Sequence, residues 1–123
     1  MIGVTLYPHM HIRLFYFKGC PNYLDAFDAL KQAAQSLGMQ RDVQIEMQEI
    51  KTQADAEQSK FVGSPTFMIN DRDLFGEPSD ATYGLRCRIY LLNGQAVGLP
   101  SVADFAAKLR KLTDRPRPQS QPR

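Results

Sequence analysis

The sequence predicts an α/β fold of order β-α-β-α-β-β-α, a mixed four-stranded sheet flanked by helices, and three observations predict it. An aromatic and branched run at residues 11–17 (HIRLFYF) stops at Gly19-Cys20-Pro21 and gives way at once to a helical stripe. Residues 43–48 (VQIEMQ) alternate apolar and polar side chains with the period of a strand. Residues 65–70 (PTFMIN) form another strand-like run that ends in turn-forming residues, which predicts a hairpin.

Each element follows in order. The run at 11–17 is short enough for a strand covered on both faces, which places it in the interior of the sheet. From Pro21 onward Tyr23, Phe27, Leu30, Ala34 and Leu37 step by four, three, four and three, the stripe of an amphipathic helix, and Gly38 stops it. The strand at 43–48 has one buried face and, being joined through a helix, lies parallel to the first. Thr52 opens a short helix reaching about Lys60, with Asp55 as a weak form of the capping box. After the strand at 65–70, Asp71-Arg72 makes a tight turn into a fourth, antiparallel strand at 73–75. Residues 76–86 (GEPSDATYGLR) are a loop, and residues 87–92 (CRIYLL) are either a short strand or an extended covering segment. Ser101 caps the last helix with Asp104 at the third position, and Val102, Phe105, Ala106, Leu109 and Leu112 form its buried stripe.

The 123 residues suit one domain, 1–113, with its core at about 11–112. The tail 114–123 (DRPRPQSQPR) has nothing apolar to order it and is expected to be disordered, and residues 1–8 are expected to add little to the core. A net charge of +2 names no partner. No stretch approaches the roughly 18 consecutive apolar residues of a spanning helix, so no membrane partner is expected. The start lacks the cationic region of a signal peptide. The expected compartment is therefore the cytoplasm, where two cysteines are free, catalytic or metal-bound rather than joined in a structural bridge.

The chemistry-bearing position is Cys20. With Pro21 preset for the first helical turn, Cys20 falls at the helix N-cap, where unpaired N–H groups and the helix dipole favour a thiolate. Lys18 would add a nearby cation. His9-Met10-His11 reads as exposed rather than metal-ligating, and Asp71, Arg72 and Asp73 read as turn chemistry. There is no phosphate-binding glycine loop, no Ser/His/Asp set and no basic-aromatic interleaving, so neither a cofactor nor a nucleic-acid partner is expected.

The element order, with Gly19-Cys20-Pro21-Asn22-Tyr23 after the first strand and Val62-Gly63-Ser64-Pro65-Thr66 before the third, resembles the thioredoxin-like superfamily over about residues 11–112. With Asp73-Leu74-Phe75-Gly76-Glu77-Pro78 and Cys87-Arg88-Ile89-Tyr90 added, the chain is similar to a group of small bacterial thioredoxin-like proteins sometimes labelled alkylmercury lyase. The resemblance implies a thioredoxin-like sandwich and a cis bond before Pro65. It also implies a substrate site shaped by Pro21, Tyr23, Ser64 and Pro65, in which the Ser64 backbone faces outward to pair with an extended peptide or hold a small thiol. Tyr23 stands where relatives keep the second cysteine of C-x-x-C, so exchange within that motif is impossible. Either Cys20 acts alone on an outside thiol or Cys87, flanked by Arg86 and Arg88 that would favour its thiolate, is the resolving partner; as a bland alternative Cys87 is a buried filler. The function implied is thiol-disulfide exchange through nucleophilic Cys20 on a protein or small-molecule thiol. Two alternatives stand beside it: an organomercurial or soft-metal enzyme gripping its cargo with both sulfurs, with Asp25 as the nearest acid, and a redox-inactive binding module.

Overall fold

β1 (Met10–Tyr16) lies inside a four-stranded sheet of order β2-β1-β3-β4, with β2 (Val43–Glu49) parallel to it and β3 (Thr66–Ile69) antiparallel. Between these strands come α1 (Tyr23–Ser36) and α2 (Gln53–Gln58); β4 (Arg72–Asp73) closes the sheet, and a separate hairpin of β5 (Tyr90–Leu92) and β6 (Gln95–Val97) leads to α3 (Val102–Thr113). The structure is a computed structural model that describes residues 9–78 and 81–113. The expectations for residues 1–8 and for the tail lie outside the described residues. The described residues include no helix long and apolar enough to cross a membrane.

The alternation of β1 sorts the core into two layers. Met10, Ile12 and Leu14 face one side and join Ala26, Ala29, Leu30 and Ala33 of α1, Phe105 and Leu109 of α3, and Phe67 of β3 in the main cluster. Phe15 faces the other side and meets Ile50, Ala56 of α2 and Phe61 in a smaller one. The second face is covered only at this end: His11 is exposed and Arg13 half-buried, which corrects the expectation of a strand buried on both faces. Six-residue α2 is too short to shield the whole face.

Helix ends follow local chemistry. Thr52 accepts the Asp55 N–H at 3.0 Å to start α2, and Lys60 ends that region with φ +55°. At α3 the capping box is complete: Ser101 Oγ accepts the Asp104 N–H at 3.1 Å while Asp104 Oδ2 accepts the Ser101 N–H at 2.9 Å. The buried side of α1 is mostly alanine, with Tyr23, Phe27 and Leu37 packing at its margins, so α1 approaches the sheet and α3 closely. Phe105 of α3 is the hub, meeting the Phe67 ring at 4.8 Å and the Phe75 ring at 5.5 Å. Truncation of such a fully buried phenylalanine costs about 3–5 kcal/mol.

Two turns differ from the sequence reading. Asn70 and Asp71, both with positive φ, form the hairpin turn, so β4 pairs Ile69 with Arg72 and starts one residue earlier than expected. Asn and Asp tolerate the left-handed conformation that a two-residue turn needs at both positions, and arginine does not. The second hairpin turns on Asn93-Gly94, with φ +54° and +77°. Its sequence signal was legible, and it makes residues 90–92 a strand with a partner of its own. The element order is therefore richer by one hairpin than the seven elements expected.

This topology decides where the chemistry gathers. Because β3 runs against β1, with Phe15 opposite Thr66, the chain leaving β1 and the chain entering β3 meet at the same end of the sheet. Cys20 lies just past the first and Ser64-Pro65 just before the second.

Candidate functional site

Cys20 does not cap α1. The cap is Asn22, whose carbonyl accepts the Ala26 N–H at 3.0 Å, and Cys20 stands two residues earlier in a turn closed by its own N–H on the Phe17 carbonyl, also at 3.0 Å. Pro21 and Asn22 continue as turn, so the helix starts at Tyr23 rather than at Pro21. Cys20 is completely buried and lies before the cap, which corrects the expectation of a sulfur at the helix N-cap. Its Sγ donates to the Ser64 carbonyl at 3.4 Å. Nor does Lys18 serve it: Lys18 Nζ is exposed and lies 4.0 Å from Glu49.

The Ser64–Pro65 peptide bond is cis. The Ser64 backbone is not open to an incoming peptide, because the chain itself takes both of its groups. Ser64 N–H donates to the Arg86 carbonyl at 2.8 Å, the Arg88 N–H donates to the Ser64 carbonyl at 2.9 Å, and Cys87 pairs with Ser64 as a parallel bridge between them. Residues 86–88 thus lie along the segment before β3 as an added strand. Gly63, with φ +137°, makes this approach possible: a Cβ there would stand 2.8 Å from Arg88 Cβ and 2.9 Å from Arg88 Cα.

The bridge brings the two cysteines together. Cys87 is exposed while Cys20 is buried, and the two meet at Ser64, Cys20 through its sulfur and Cys87 through the backbone bridge. The Cys87 thiol is pushed up from its ordinary 9.0 to about 11, first by its hydrogen bond to Cys20, then by partial desolvation and by Coulomb repulsion from Cys20. Cys87 is therefore held as a thiol, contrary to the expectation that its arginine neighbours would favour the thiolate. Both guanidinium groups are engaged elsewhere. Arg86 Nη1 donates to the Thr82 carbonyl at 2.7 Å.

Arg88 faces inward on the opposite side of the strand from Cys87, as strand alternation requires. It is 4% exposed, and its Nη1 lies 2.7 Å from Asp73 Oδ2 with Nη2 3.3 Å from Asp73 Oδ1, a two-pronged ion pair. Nη2 also donates to the Gly76 carbonyl at 3.0 Å and Nη1 to Thr66 Oγ1 at 3.3 Å, and the guanidinium stacks 4.2 Å over the Tyr90 ring. Tyr90 in turn donates its hydroxyl to the Pro65 carbonyl and packs edge-on against Phe75. Burial raises the Tyr90 hydroxyl well above its ordinary value, so it stays a donor. Asp73 also accepts the Phe75 N–H at 3.0 Å, the bond to the residue two further on that turn chemistry predicts, so its pairing with Arg88 is a second role. Arg88, Asp73, Thr66 and Tyr90 together clamp the Cys87 strand onto the cis-proline segment. Sequence reasoning missed this clamp, although the alternation Cys87 out, Arg88 in, Ile89 out, Tyr90 in was there to be seen.

The remaining residues expected at the site play varied parts. Pro21 is exposed beside Cys20 in sequence. Asn22 Nδ2 donates to the Gly98 carbonyl at 3.4 Å, tying the cysteine loop to the chain before α3. Tyr23 stacks on Tyr16 with ring centroids 4.3 Å apart, so the residue in place of a second cysteine serves the end of β1. His9 and His11 pair with Gln44 and Glu46 on the β2 side, and the described residues hold no cluster of three or more metal-ligating side chains. Asp25 is exposed in the first turn of α1. A groove of about 370 Å³ opens beside Cys87, lined in part by Val62, Thr82, Arg86 and Ile89. Comparison with known proteins returned no matching family model, no matching curated protein and no matching solved structure.

Proposed function

We propose that the chain is a thioredoxin-like thiol protein in which Cys20 and Cys87 cycle between a dithiol and an intrachain disulfide, exchanging with outside thiols and disulfides. The observation that carries this reading is the shared Ser64: its carbonyl holds the Cys20 thiol, and its backbone pairs with the two residues that flank Cys87. The Cys20 sulfur and the backbone at Cys87 meet at one residue, and such proximity is what a disulfide requires. The thioredoxin-like part of the reading is supported by the interior first strand, its parallel and antiparallel neighbours, and the entry into β3 beside the cysteine loop.

In the oxidising direction, a small disulfide RSSR takes up one cysteine sulfur, releasing RSH. The second cysteine then displaces the remaining RS group, so that one RSSR becomes two RSH and the protein loses two hydrogens. The test is to treat the reduced protein with oxidised glutathione. The expected result is loss of two hydrogens by mass and a cross-linked pair of peptides containing Cys20 and Cys87. A protein that keeps both thiols under these conditions would instead fit a fold used for binding alone.

A further inference from the structure

The two sulfurs differ in one respect that decides how such a cycle runs. Cys20 is completely buried, with its Sγ turned onto the Ser64 carbonyl. Cys87 is exposed, and the residues two and four further along the chain, Ile89 and Leu91, are exposed as well, at 61% and 80%. Alternation sends Arg88 and Tyr90 into the clamp and leaves Cys87, Ile89 and Leu91 on the outer face. The groove that runs past Cys87 has the volume of a small-ligand pocket.

Attack on a disulfide is a displacement at one sulfur, in line with the bond that breaks, so the sulfur with an open rear is the one attacked. Resting on the thiol-disulfide reading above, we propose that Cys87 is the port of the cycle: the outside small thiol bonds to Cys87, and Cys20 is the internal leaving group and resolver. This reverses the order that the sequence implies, in which Cys20 meets the substrate.

The steps balance. An outside thiolate RS⁻ attacks Cys87 Sγ in the oxidised protein; the Cys20–Cys87 bond breaks, a mixed disulfide forms on Cys87, and the electron pair departs on Cys20 Sγ. That sulfur takes a proton from solvent during opening and can then donate it to the Ser64 carbonyl, as in the dithiol form. A second RS⁻ attacks the outside sulfur of the mixed disulfide, releasing RSSR; the electron pair departs on Cys87 Sγ, which takes a proton from solvent and returns to the thiol. The partner class is a low-molecular-weight thiol, because the Ser64 backbone edge that would align an extended peptide is occupied by residues 86–88.

The experiment uses the wild-type protein. It is oxidised, mixed briefly with glutathione, quenched with acid and a maleimide, and mapped by mass spectrometry for the site of the glutathione adduct. The expected result is an adduct at Cys87 at least tenfold more abundant than at Cys20, with the maleimide on Cys20. A disulfide that forms but is opened with the adduct on Cys20, or equally on both, overturns this inference and leaves the proposed function standing. Failure to form the intrachain disulfide overturns both.

Discussion

Replacing Gly63 by alanine tests the idea that close backbone contact, rather than the side chains of the clamp, lets the Cys87 strand lie against Ser64. The new Cβ would stand 2.8 Å from Arg88 Cβ, 2.9 Å from its Cα and 3.0 Å from its N, mostly backbone that cannot step aside alone. Gly63 also holds φ +137°, a conformation that costs a non-glycine residue about 1–3 kcal/mol. If residues 86–88 lift away, the two bonds at 2.8 and 2.9 Å between Ser64 and its neighbours are lost, at about 1 kcal/mol each. Stiffening of the unfolded chain returns about 0.4–1 kcal/mol. The net loss is about 2–4.6 kcal/mol, or a fall in Tm of roughly 8–18 °C at about 4 °C per kcal/mol. The assay pairs thermal unfolding with the rate of Cys20–Cys87 disulfide formation, which should drop at least tenfold as Cys87 leaves its place. A Gly63→Ala protein that melts within 2 °C of wild type and closes its disulfide at the wild-type rate would refute the reasoning.

Three further outcomes are expected. In Cys20→Ser the sulfur that holds Cys87 up is gone, so the Cys87 thiol should fall from about 11 back towards 9.0. At pH 8 that multiplies its thiolate roughly a hundredfold and lowers its intrinsic nucleophilicity about eightfold, for alkylation roughly tenfold faster; an unchanged rate–pH profile would remove Cys20 as the cause. Asp73→Asn strands the buried Arg88 charge and should cost about 3 kcal/mol by denaturant unfolding, whereas Asp73→Leu with Arg88→Met should cost less than that single change; equal losses would mean the pair is not acting as a pair. Ser101→Ala breaks one half of the capping box at α3 and should lower stability by about 1 kcal/mol, seen as a Tm shift of a few degrees; no shift would show that Asp104 alone holds that helix start.

What could be read in the sequence was what is decided locally. The run into Gly19-Cys20-Pro21, the period-two strand at 43–48 and the Ser101/Asp104 cap each rest on neighbours within a few residues, and each is present with small shifts at its ends. The hairpin after β3 was placed one residue late because Asp71-Arg72 looks like a turn until the need for two left-handed residues is weighed against Asn70-Asp71. Asn93-Gly94 is a local turn signal of the same kind, and it closes a further hairpin of β5 and β6. The burial of Cys20 could not be read, since it depends on the pairing of Ser64 with residues 22 to 24 positions further on. Arg88 presents the same difficulty in another form: its inward direction follows from parity, but its carboxylate, Asp73, comes from a different strand and is recognisable only once the fold is known.

The complete burial of Cys20 makes its sulfur a timer for the local breathing of the protein. A reagent in solvent can reach it only when the cysteine loop or the 86–88 strand opens, so its modification rate equals the rate for a free thiol multiplied by the fraction of time the region is open. Each 1.4 kcal/mol of opening free energy slows that modification tenfold. The same cysteine thus reports, without any added probe, how firmly the cis-proline end of the sheet is shut, and comparing it with amide exchange at Ser64 and Arg88 would tell whether the strand lifts by itself or only when the whole domain unfolds.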